Sequence, residues 1–332
     1  MKCIHHNDAD GLCAAAIVKN ELVDDFIPVN ESDFIMYNHG WTLELPEIKE
    51  GEEVYFVDLA LDGVTFNAMK KCIEAGAHVI HIDHHIGGSR FYESMSPEGK
   101  AVYDQVRRFF RTDYSGTMLT WVYAAMTDKE REDPSKVSFD ITDGLTHVGF
   151  WIDNPAMKRE VAIPLAVRYI DDNDVWRHSL DESKYFALVF RSLPNEMTNP
   201  LNLDFWKEML YASTPKRTMD LVDRGRMLFD YQDSINRSIV KNGFEYEIAG
   251  IKCFCLNTPF GNSQIFCEKY DEYPMVCKFS YDGSIKKWRY TFYSNDKFKD
   301  QVDCSEIARM FFCGGGHRGS SGGQLDYNYF ED

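Results

Sequence analysis

The amino-acid sequence predicts an α/β protein whose N-terminal domain is a mainly parallel sheet flanked by helices. Apolar, β-branched runs such as Val54–Val57 and His78–Ile82 have the composition of buried strands. Helical patterns separate these runs, and a strand–helix–strand alternation places its helices on the faces of a parallel sheet. A long helical pattern then leads to a smaller α/β region. We therefore predict domains at residues 1–210 and 243–332, joined by a helical linker at residues 211–242.

The first predicted elements alternate along the chain. The helix at Leu12–Lys19 is rich in alanine, the best helix former. The helix at Val64–Ala75 has apolar residues at helical spacing and ends at Gly76, a typical C-cap. Strands are predicted between and around these helices, at Lys2–His6, Phe26–Val29, Val54–Val57 and His78–Ile82.

The rest of the chain is predicted as a helical stretch followed by hairpins. Residues 100–210 are mainly helical in pattern, with segments at Met118–Met126, Val161–Ile170 and Tyr185–Leu193. The linker helix is the long, charged pattern at Thr214–Lys241. The C-terminal domain is expected to contain strands Phe244–Ile248 and Ile251–Leu256, a hairpin of Met275–Ser280 and Trp288–Tyr293, and a helix at Cys304–Phe312.

Charge and cysteine content restrict the class of protein. The formal net charge of −17 argues against stable binding of long DNA through a broad basic face, which needs many phosphate contacts. The nine cysteines show no C-x-x-C pair, and we interpret them as reduced core residues. No apolar run approaches the ~20 residues of a membrane helix, and no targeting segment precedes the first strand. We expect a cytoplasmic protein without a membrane partner.

Metal-ligand side chains follow three of the predicted strands at the point where each strand ends. His6, Asp8 and Asp10 are spaced two residues apart, so they share one face of an extended chain. Asp58 follows the second of these strands, and Asp83–His85 end the third. Because the functional crevice of a parallel sheet lies outside the carboxyl ends of its strands, we predict that the three clusters form one metal site.

Each cluster has a simpler interpretation when it is taken alone. Asp10 suits the cap of the following helix, Asp58 suits a turn, and Asp83–His85 suit a hydrogen-bonded core triad. For Asp8 and its neighbours this interpretation is weaker, because adjacent carboxylates repel one another unless a cation or a proton joins them. Three such clusters at strand ends together favour the metal site.

The number and type of these side chains predict two divalent ions. Two imidazoles and at least three carboxylates exceed what one ion needs. Carboxylate and imidazole ligands without thiolates suit Mn²⁺ first, with Mg²⁺, Fe²⁺, Co²⁺ or Zn²⁺ as alternatives. A pair of such ions suits in-line displacement at phosphorus, where one ion activates water and both neutralise oxygens.

The sequence resembles the DHH phosphoesterase superfamily over nearly the whole chain. The family's name-giving triplet is similar to Asp83-His84-His85, its first motif to residues 6–11, and its strand-end aspartate to Asp58. A later aspartate motif resembles residues 170–176. The run at Gly314–His317 resembles the G-G-G-H motif of the DHH-associated substrate-binding domain. These motifs together, in the family's order along the chain, are specific, whereas a single DHH triplet is not.

The resemblance implies roles for individual residues. One metal would be held by His6, Asp8 and Asp58, and the other by Asp10, Asp58, His84 and Asp172, with Asp58 bridging. As catalytic residues, His85 would face the phosphate and Asp83 would orient a histidine. Two choices stay open at this point, because His5 competes with His6 and Asp174 competes with Asp172.

The C-terminal glycine run is predicted to bind substrate. Backbone N–H groups, hydroxyls and two side chains able to carry positive charge within ten residues are the chemistry of a phosphate cradle. A mobile turn is the simpler interpretation of a glycine-rich segment alone. The predicted substrate-binding residues are Gly314, Gly315, Gly316, His317, Arg318, Ser320 and Ser321.

Within the superfamily the chain resembles the compact NrnA-type oligoribonuclease and pAp phosphatase class. This resemblance implies a Mn-dependent phosphoesterase acting on short oligonucleotides or small nucleotides. The alternatives are an exopolyphosphatase-like phosphohydrolase, a RecJ-like single-strand exonuclease and a non-catalytic nucleotide-binding scaffold. Aromatic residues near the motifs, Tyr92, Trp176 and Tyr293, suit base stacking, although packing is the commoner role of such residues. The sequence leaves open whether the chain forms a homodimer.

Overall fold

Five parallel strands form the main sheet of the N-terminal part. The computed structural model describes residues 1–23, 29–38, 40–152, 155–211, 215–298 and 300–331. In this sheet the strands follow the order β2-β1-β3-β4-β5, and every neighbouring pair is parallel. The strands are β1 (Lys2–His6), β2 (Phe34–Tyr37), β3 (Glu53–Val57), β4 (His78–Asp83) and β5 (Arg107–Phe110).

Helices cover both faces of this sheet, which confirms the predicted fold class. On one face Ile80 and Ile82 pack in a cluster with the alanines of the first helix, and on the other face Phe56 packs with Met69 and Cys72. The helices are α1 (Ala9–Ile17), α2 (Gly63–Glu74), α3 (Ile86–Ser94), α4 (Pro97–Tyr103), α5 (Gly116–Ala124), α6 (Asp128–Glu132), α7 (Leu165–Asp174), α8 (Ser183–Phe190), α9 (Asn195–Thr198), α10 (Leu203–Leu210) and α11 (Lys216–Ile239).

The helix α2 shows how local sequence sets the bounds of an element. Asp62 caps its start, because the carboxylate accepts hydrogen bonds from the backbone N–H groups of Val64 and Thr65. Gly76 stops it with a φ of +79°, which a glycine adopts without strain. The predicted helix at Val64–Ala75 therefore agrees with the structure within a residue at each end.

A three-stranded antiparallel sheet lies in the region that the sequence predicts as mainly helical. Its strands are only four or five residues long, and side chains such as Phe139 and Val148 are buried. The last of them replaces the start of the helix predicted at Val161–Ile170, so α7 begins four residues later. The predicted strand Phe26–Val29 lies, apart from Val29, outside the described residues, as does Thr214. The three strands are β6 (Ser138–Ile141), β7 (His147–Trp151) and β8 (Arg159–Ala162).

The C-terminal part is a six-stranded mixed sheet in the order β13-β14-β12-β11-β10-β9. Ala249 and Gly250 both have positive φ, 54° and 78°, as the tight turn between the first two strands requires. The glycine run forms a hairpin instead of a loose turn. The elements are β9 (Phe244–Ile248), β10 (Ile251–Asn257), α12 (Lys269–Glu272), β11 (Met275–Asp282), β12 (Lys287–Tyr293), α13 (Cys304–Phe311), β13 (Gly315–His317) and β14 (Ser320–Leu325).

The chain divides into two compact units, Met1–Leu228 and Phe229–Asp332, and the helix α11 contributes to both. The predicted limits of the linker, residues 211 and 242, remain a prediction. All nine cysteines are free thiols, and seven of them are buried. Within the described part of the chain, no helix combines the length and the apolar character that crossing a bilayer requires.

Candidate metal centre

Three neighbouring strand ends bring their polar side chains to one edge of the parallel sheet. Val57 of β3 pairs with His5 of β1 and with Ile82 of β4, so the next residue of each strand lies at the same level. Asp58 thereby lies between the ends of two strands that carry histidines. The strand order changes direction at β1, and such a switch point is where open parallel sheets bind ligands.

Asp58 joins the first group of candidate ligands, which also contains His6 and Asp8. The imidazole Nδ1 of His6 lies 2.8 Å from Oδ2 of Asp8 and 3.8 Å from Oδ2 of Asp58. The side chain of Asp58 is only 2% exposed, and its φ of +54° is rare for a residue other than glycine. The positive φ turns the chain sharply at the strand end. The ligand atoms of these three residues lie within 4.8 Å of one another.

His84 is the centre of a second group. Its Nε2 atom lies 3.3 Å from Oδ1 of Asp58, 3.6 Å from Oδ2 of Asp10 and 3.5 Å from Oδ2 of Asp174. Among the described residues, this buried Nε2 atom has no hydrogen-bond partner, and neither has Oδ2 of Asp58. Burial lowers the pKa of His84, so the imidazole is neutral and offers a lone pair.

His85 and Asp83 form a hydrogen-bonded pair beside these groups. Nδ1 of His85 lies 2.7 Å from Oδ1 of Asp83 and 4.0 Å from Oδ1 of Asp58. Burial works to lower the pKa of His85, but the hydrogen bond and the charge of Asp83 outweigh it and raise the pKa. The Asp83 carboxylate thus fixes the orientation of the His85 ring and favours its protonated form.

Carboxylates crowd the centre without enough cationic partners. Burial and the neighbouring charge of Asp10 raise the pKa of Asp58 well above its usual range. Burial and the charges of Asp10 and Asp8 raise the pKa of Asp174 to about 8. Mutual repulsion of this kind is relieved by a proton or by a cation.

The residues present fit divalent cations. The two groups share Asp58, offer only carboxylate and imidazole atoms, and leave two buried ligand atoms without hydrogen bonds in the described chain. Carboxylates suit Mn²⁺ and Mg²⁺, whereas imidazoles suit Fe²⁺ and Zn²⁺. A set that contains both carboxylates and imidazoles therefore matches the ligand preferences of Mn²⁺ or Fe²⁺.

The structure places Asp174, and not Asp172, at the centre. The carboxylate of Asp172 is fully buried and accepts hydrogen bonds from the backbone and hydroxyl of Ser179, the backbone of Leu180 and the hydroxyl of Ser183. Its oxygens are thus occupied within the fold. The geometry corrects the predicted ligand to the alternative that the sequence left open.

The geometry also favours one of the two N-terminal histidines as the candidate ligand. His5 is 2% exposed, and its Nδ1 lies 2.9 Å from the carbonyl oxygen of His6. Burial lowers the pKa of His5 to about 4, so it is a neutral core residue. Its neighbour His6 points to the carboxylates instead.

The first turn of α5 holds Asp10 in place, a contact that the sequence reasoning missed. The backbone N–H groups of Gly116 and Thr117 each donate to Asp10 at 2.7 Å, and the Thr117 hydroxyl donates to its carbonyl oxygen. Asp10 therefore caps a helix 106 residues away, while Asp8 caps its own helix through Gly11. The available signal was Ser115, a strong N-cap residue, before an apolar helix.

Asp171 connects this turn to the loop that follows α7. Its two carboxylate oxygens accept hydrogen bonds of 2.7 Å from the backbone of Ser115 and from Nη1 of Arg177. Burial raises the pKa of Asp171 to about 6. The loop presents Trp176, which is 72% exposed, next to His178, and both residues have positive φ. The buried Asp171 and Asp172 therefore hold a loop that carries an exposed indole two residues after Asp174.

The predicted substrate-binding residues lie in the hairpin β13–β14 of the second unit. Residues 315–320 are exposed, and Arg318 lies 3.7 Å from the carboxylate of Asp303. Gly314 has to be a glycine, because a β-carbon there would stand 1.9 Å from the carbonyl oxygen of Gly322. Ser321 differs from the other predicted substrate-binding residues. It is buried, and its hydroxyl donates to the carbonyl oxygen of Cys304 instead of facing a ligand.

Comparison with known proteins identifies the fold. No protein-family model matches the chain, and no curated protein matches it. Among solved structures, the DHH domain of a protein from a family of ribosomal proteins matches with a TM-score of 0.54 at 14% identity, over 98% of this chain and 82% of that one. The chain has the DHH-domain fold.

A second structure with this fold is a pGpG-specific phosphodiesterase, PggH, from Vibrio cholerae. It matches with a TM-score of 0.52 at 12% identity, over 98% of this chain and 93% of that one. The DHH superfamily resemblance inferred from the motifs thus agrees with the fold. The narrower NrnA-type assignment is not reached by these matches, and a homodimer finds no support in them.

Proposed function

We propose that the protein is a metal-dependent phosphoesterase that hydrolyses short oligonucleotides or small nucleotides. One observation supports this most directly: Asp58 belongs both to the group with His6 and Asp8 and to a group with His84. A shared carboxylate between two ligand sets is the arrangement that holds two cations close together. In such a pair the ions supply Lewis acidity, an activated water and neutralisation of phosphate oxygens.

The proposed ligands divide between two positions. His6, Asp8 and Asp58 would hold one cation, and Asp10, Asp58, His84 and Asp174 the other. The N–H groups at the start of α5 hold the Asp10 carboxylate in place, because each of its two oxygens accepts a hydrogen bond from them.

His85 is the proposed proton donor of the chain. With Nδ1 engaged by Asp83, Nε2 is the nitrogen left for the substrate. The raised pKa favours the protonated ring, which would contact a phosphate oxygen and pass its proton to the leaving oxygen. Asp83 acts by orienting the ring, and it stays ionised because the hydrogen bond from His85 opposes the effect of burial on its pKa.

The substrate class rests on charge and on the second unit. A net charge of −17 disfavours long polyanions and is compatible with a small substrate. The exposed hairpin with His317 and Arg318 offers backbone N–H groups and a guanidinium, which are groups that bind phosphate. The fold is shared with a pGpG-specific phosphodiesterase, which favours a dinucleotide among the candidates.

A substrate panel tests the proposal. The full chain with Mn²⁺ is assayed on RNA and DNA oligomers of two to five nucleotides, 3′-phosphoadenosine 5′-phosphate, long single-stranded DNA and polyphosphate. We expect the short oligomers or the bisphosphate to be hydrolysed fastest, and EDTA to stop the reaction. Faster hydrolysis of polyphosphate, or processive digestion of long DNA, would reassign the chain to a polyphosphatase or RecJ-like role.

Two variants connect that activity to the proposed centre. Asp58→Ala should abolish hydrolysis and reduce the bound Mn²⁺, because it removes the shared ligand. Asp223→Ala removes a carboxylate that is 72% exposed on α11 and serves as the matched control. Normal turnover in Asp58→Ala contradicts a binuclear centre, and a loss in both variants points to an effect of charge alone.

A further inference from the structure

An open cavity of about 350 Å³ lies next to the metal centre, within the first unit. Three of its lining residues, Asp8, Asp10 and Asp174, are carboxylates of the centre itself. The cavity is therefore continuous with the place where the scissile phosphate is proposed to lie.

The remaining walls of this cavity combine an apolar floor with polar side chains. Ile170, Phe186 and Phe190 are buried and supply the floor. Besides the carboxylates, the polar residues are Asn7, Asn173, Asn195, Thr198 and Arg191.

These polar side chains are available to a ligand. In the described chain none of the three asparagine amides makes a side-chain hydrogen bond, and the Arg191 guanidinium makes no ion pair there. Most arginines of the first unit are engaged by carboxylates, carbonyls or aromatic rings. Arg191 is an exposed residue in the wall of the cavity.

A larger groove of about 920 Å³ runs along the edge strand β5 but offers less to an anionic ligand. Its three arginines already have carboxylate partners, since Arg107 lies 3.8 Å from Glu53, Arg108 lies 3.2 Å from Asp104 and Arg111 lies 2.6 Å from Asp113. The smaller cavity is therefore the better candidate.

We propose that the smaller cavity binds the nucleoside part of a nucleotide whose phosphate lies at the metal centre; this rests on the proposed function. An amide side chain both donates and accepts hydrogen bonds, which matches the edge of a nucleobase. The apolar floor contacts the face of the base. Arg191 suits a further phosphate on the same nucleoside.

The size of the cavity sets the length of what it holds. A volume of about 350 Å³ is at the lower end of ligand pockets, so it takes one nucleoside. We therefore expect the protein to recognise one nucleotide at the end of its substrate. Polyphosphate has no group that uses an apolar floor and three amides, so the cavity favours nucleotides over polyphosphate.

Calorimetry on the Mn²⁺-loaded full chain tests this inference without turnover. The probes are phosphonate analogues of the four nucleoside 5′-monophosphates, in which carbon replaces the ester oxygen, and the matching ribose phosphonate without a base. We expect at least one nucleoside analogue to bind ~10-fold more tightly than the base-free probe, a difference of ~1.4 kcal/mol, because the base adds contacts with the apolar floor.

Substitutions within the cavity localise the preference. Ala187→Phe on α8 should fill the cavity and remove most of that difference in affinity. Ala101→Phe, at an exposed position of α4, is the matched control and should keep it. Should Ala187→Phe fold poorly, Asn7→Ala and Asn195→Ala change exposed amide side chains and should each weaken the binding of the nucleoside analogues several-fold.

Two outcomes overturn the inference: equal affinity for the probes with and without a base, or a base preference that survives all three cavity substitutions. The result is separable from the proposed function. Base-selective binding without hydrolysis of any phosphoester contradicts only the proposed activity. Hydrolysis of oligonucleotides without base-selective binding contradicts only the nucleoside cavity.

Discussion

Gly116 lies directly against Asp58. A β-carbon on Gly116 would stand 2.7 Å from Cβ of Asp58 and 3.0 Å from Oδ2 of Asp10. Atoms that are not bonded to each other do not approach so closely in a packed interior. The absence of a side chain at Gly116 thus lets one helix start contact two proposed metal ligands at once.

Gly116→Ala should weaken the binding of Mn²⁺ at least ~10-fold, because the added methyl group pushes Asp58 and Asp10 apart while metal sites tolerate displacements of only a few tenths of an ångström. Calorimetric titration measures the effect. Gly63→Ala is the matched control, since Gly63 is also the first residue of a helix and a β-carbon there meets nothing within 4 Å. Equal affinities in the two variants would show that the contact has no role.

Asp58→Asn should raise the melting temperature of the metal-free protein by several degrees at pH 8. The unfolded carboxyl is ionised at that pH, whereas the folded one is buried among negative charges that raise its pKa. An asparagine has the same shape and no charge, so it avoids the free-energy cost of burying this carboxyl at pH 8. Because it is a poorer metal ligand, it should also remove most of the stabilisation by added Mn²⁺. Thermal unfolding in EDTA and in Mn²⁺ measures both effects, with Asp223→Asn as the control. A lower melting temperature in EDTA would be inconsistent with repulsion at the centre.

The protonated carboxyls of Asp171 and Asp174 should contribute stability to the metal-free protein that is lost as the pH rises from 5 to 8. Burial raises the pKa of Asp171 to about 6 and, with neighbouring charges, that of Asp174 to about 8. An unfolded aspartate titrates at ~3.9, so at these two positions the folded chain holds protons that the unfolded chain has released, and their contribution to the slope of stability against pH is negative. Buried His5 and His84, whose pKa values are lowered, contribute with the opposite sign, so the contribution of Asp174 is the difference between the wild type and Asp174→Asn.

Thermal unfolding in EDTA at several pH values measures this slope, and Asp174→Asn should make it less negative. In saturating Mn²⁺ the dependence should reverse, because the cation binds the deprotonated carboxylates. An identical slope in the wild type and in Asp174→Asn would contradict the raised pKa of Asp174.

Asp172 and Asp174 should have separable roles. Asp172→Asn should destabilise the fold by ~2–4 kcal/mol, because an amide nitrogen would face donors that now bind a carboxylate. Asp174→Asn should leave the denaturation midpoint nearly unchanged in EDTA at pH 6, where the wild-type carboxyl is protonated, and weaken the binding of Mn²⁺. Urea unfolding together with calorimetric titration separates the two effects. The reverse pattern would restore Asp172 as the ligand.

Arg318→Ala should raise the KM for a dinucleotide ~30-fold, with a smaller change in kcat. Removing a charge-assisted hydrogen bond to a phosphate costs ~2 kcal/mol, and a contact made equally in the ground state and the transition state affects KM. Steady-state kinetics measures both constants. Arg309→Ala, on the exposed face of α13, is the control. An unchanged KM in Arg318→Ala would exclude this residue from substrate binding.

The proximity of Asp58, His6 and His84 could be predicted from the sequence, because strand ends in a parallel sheet meet at one edge. Their role as metal ligands remains a prediction. The candidate ligand among the aspartates of α7 could not be chosen in that way. Asp171, Asp172 and Asp174 lie on one helix, where each residue turns by about 100°, and which of them faces the centre depends on how α7 packs.

Contacts between distant segments were also beyond the sequence. Nothing local relates Asp10 to the helix start at Gly116, because the two are joined only when α5 packs beside α1. The short strands β6–β8 could not be predicted from the sequence either. Strands of four or five residues show too few alternations to be distinguished from helical spacing.

The exposed indole of Trp176 gives the protein a built-in optical signal. Trp176 follows Asp174 by two residues and lies largely in water, whereas the indole of Trp206 is fully buried. The emission of a solvated indole is red-shifted from that of a buried one, and a paramagnetic ion such as Mn²⁺ quenches nearby fluorophores. Occupancy of the centre is therefore expected to be readable from the red edge of the native fluorescence, with no label attached and with Trp176→Phe as the spectrum to subtract.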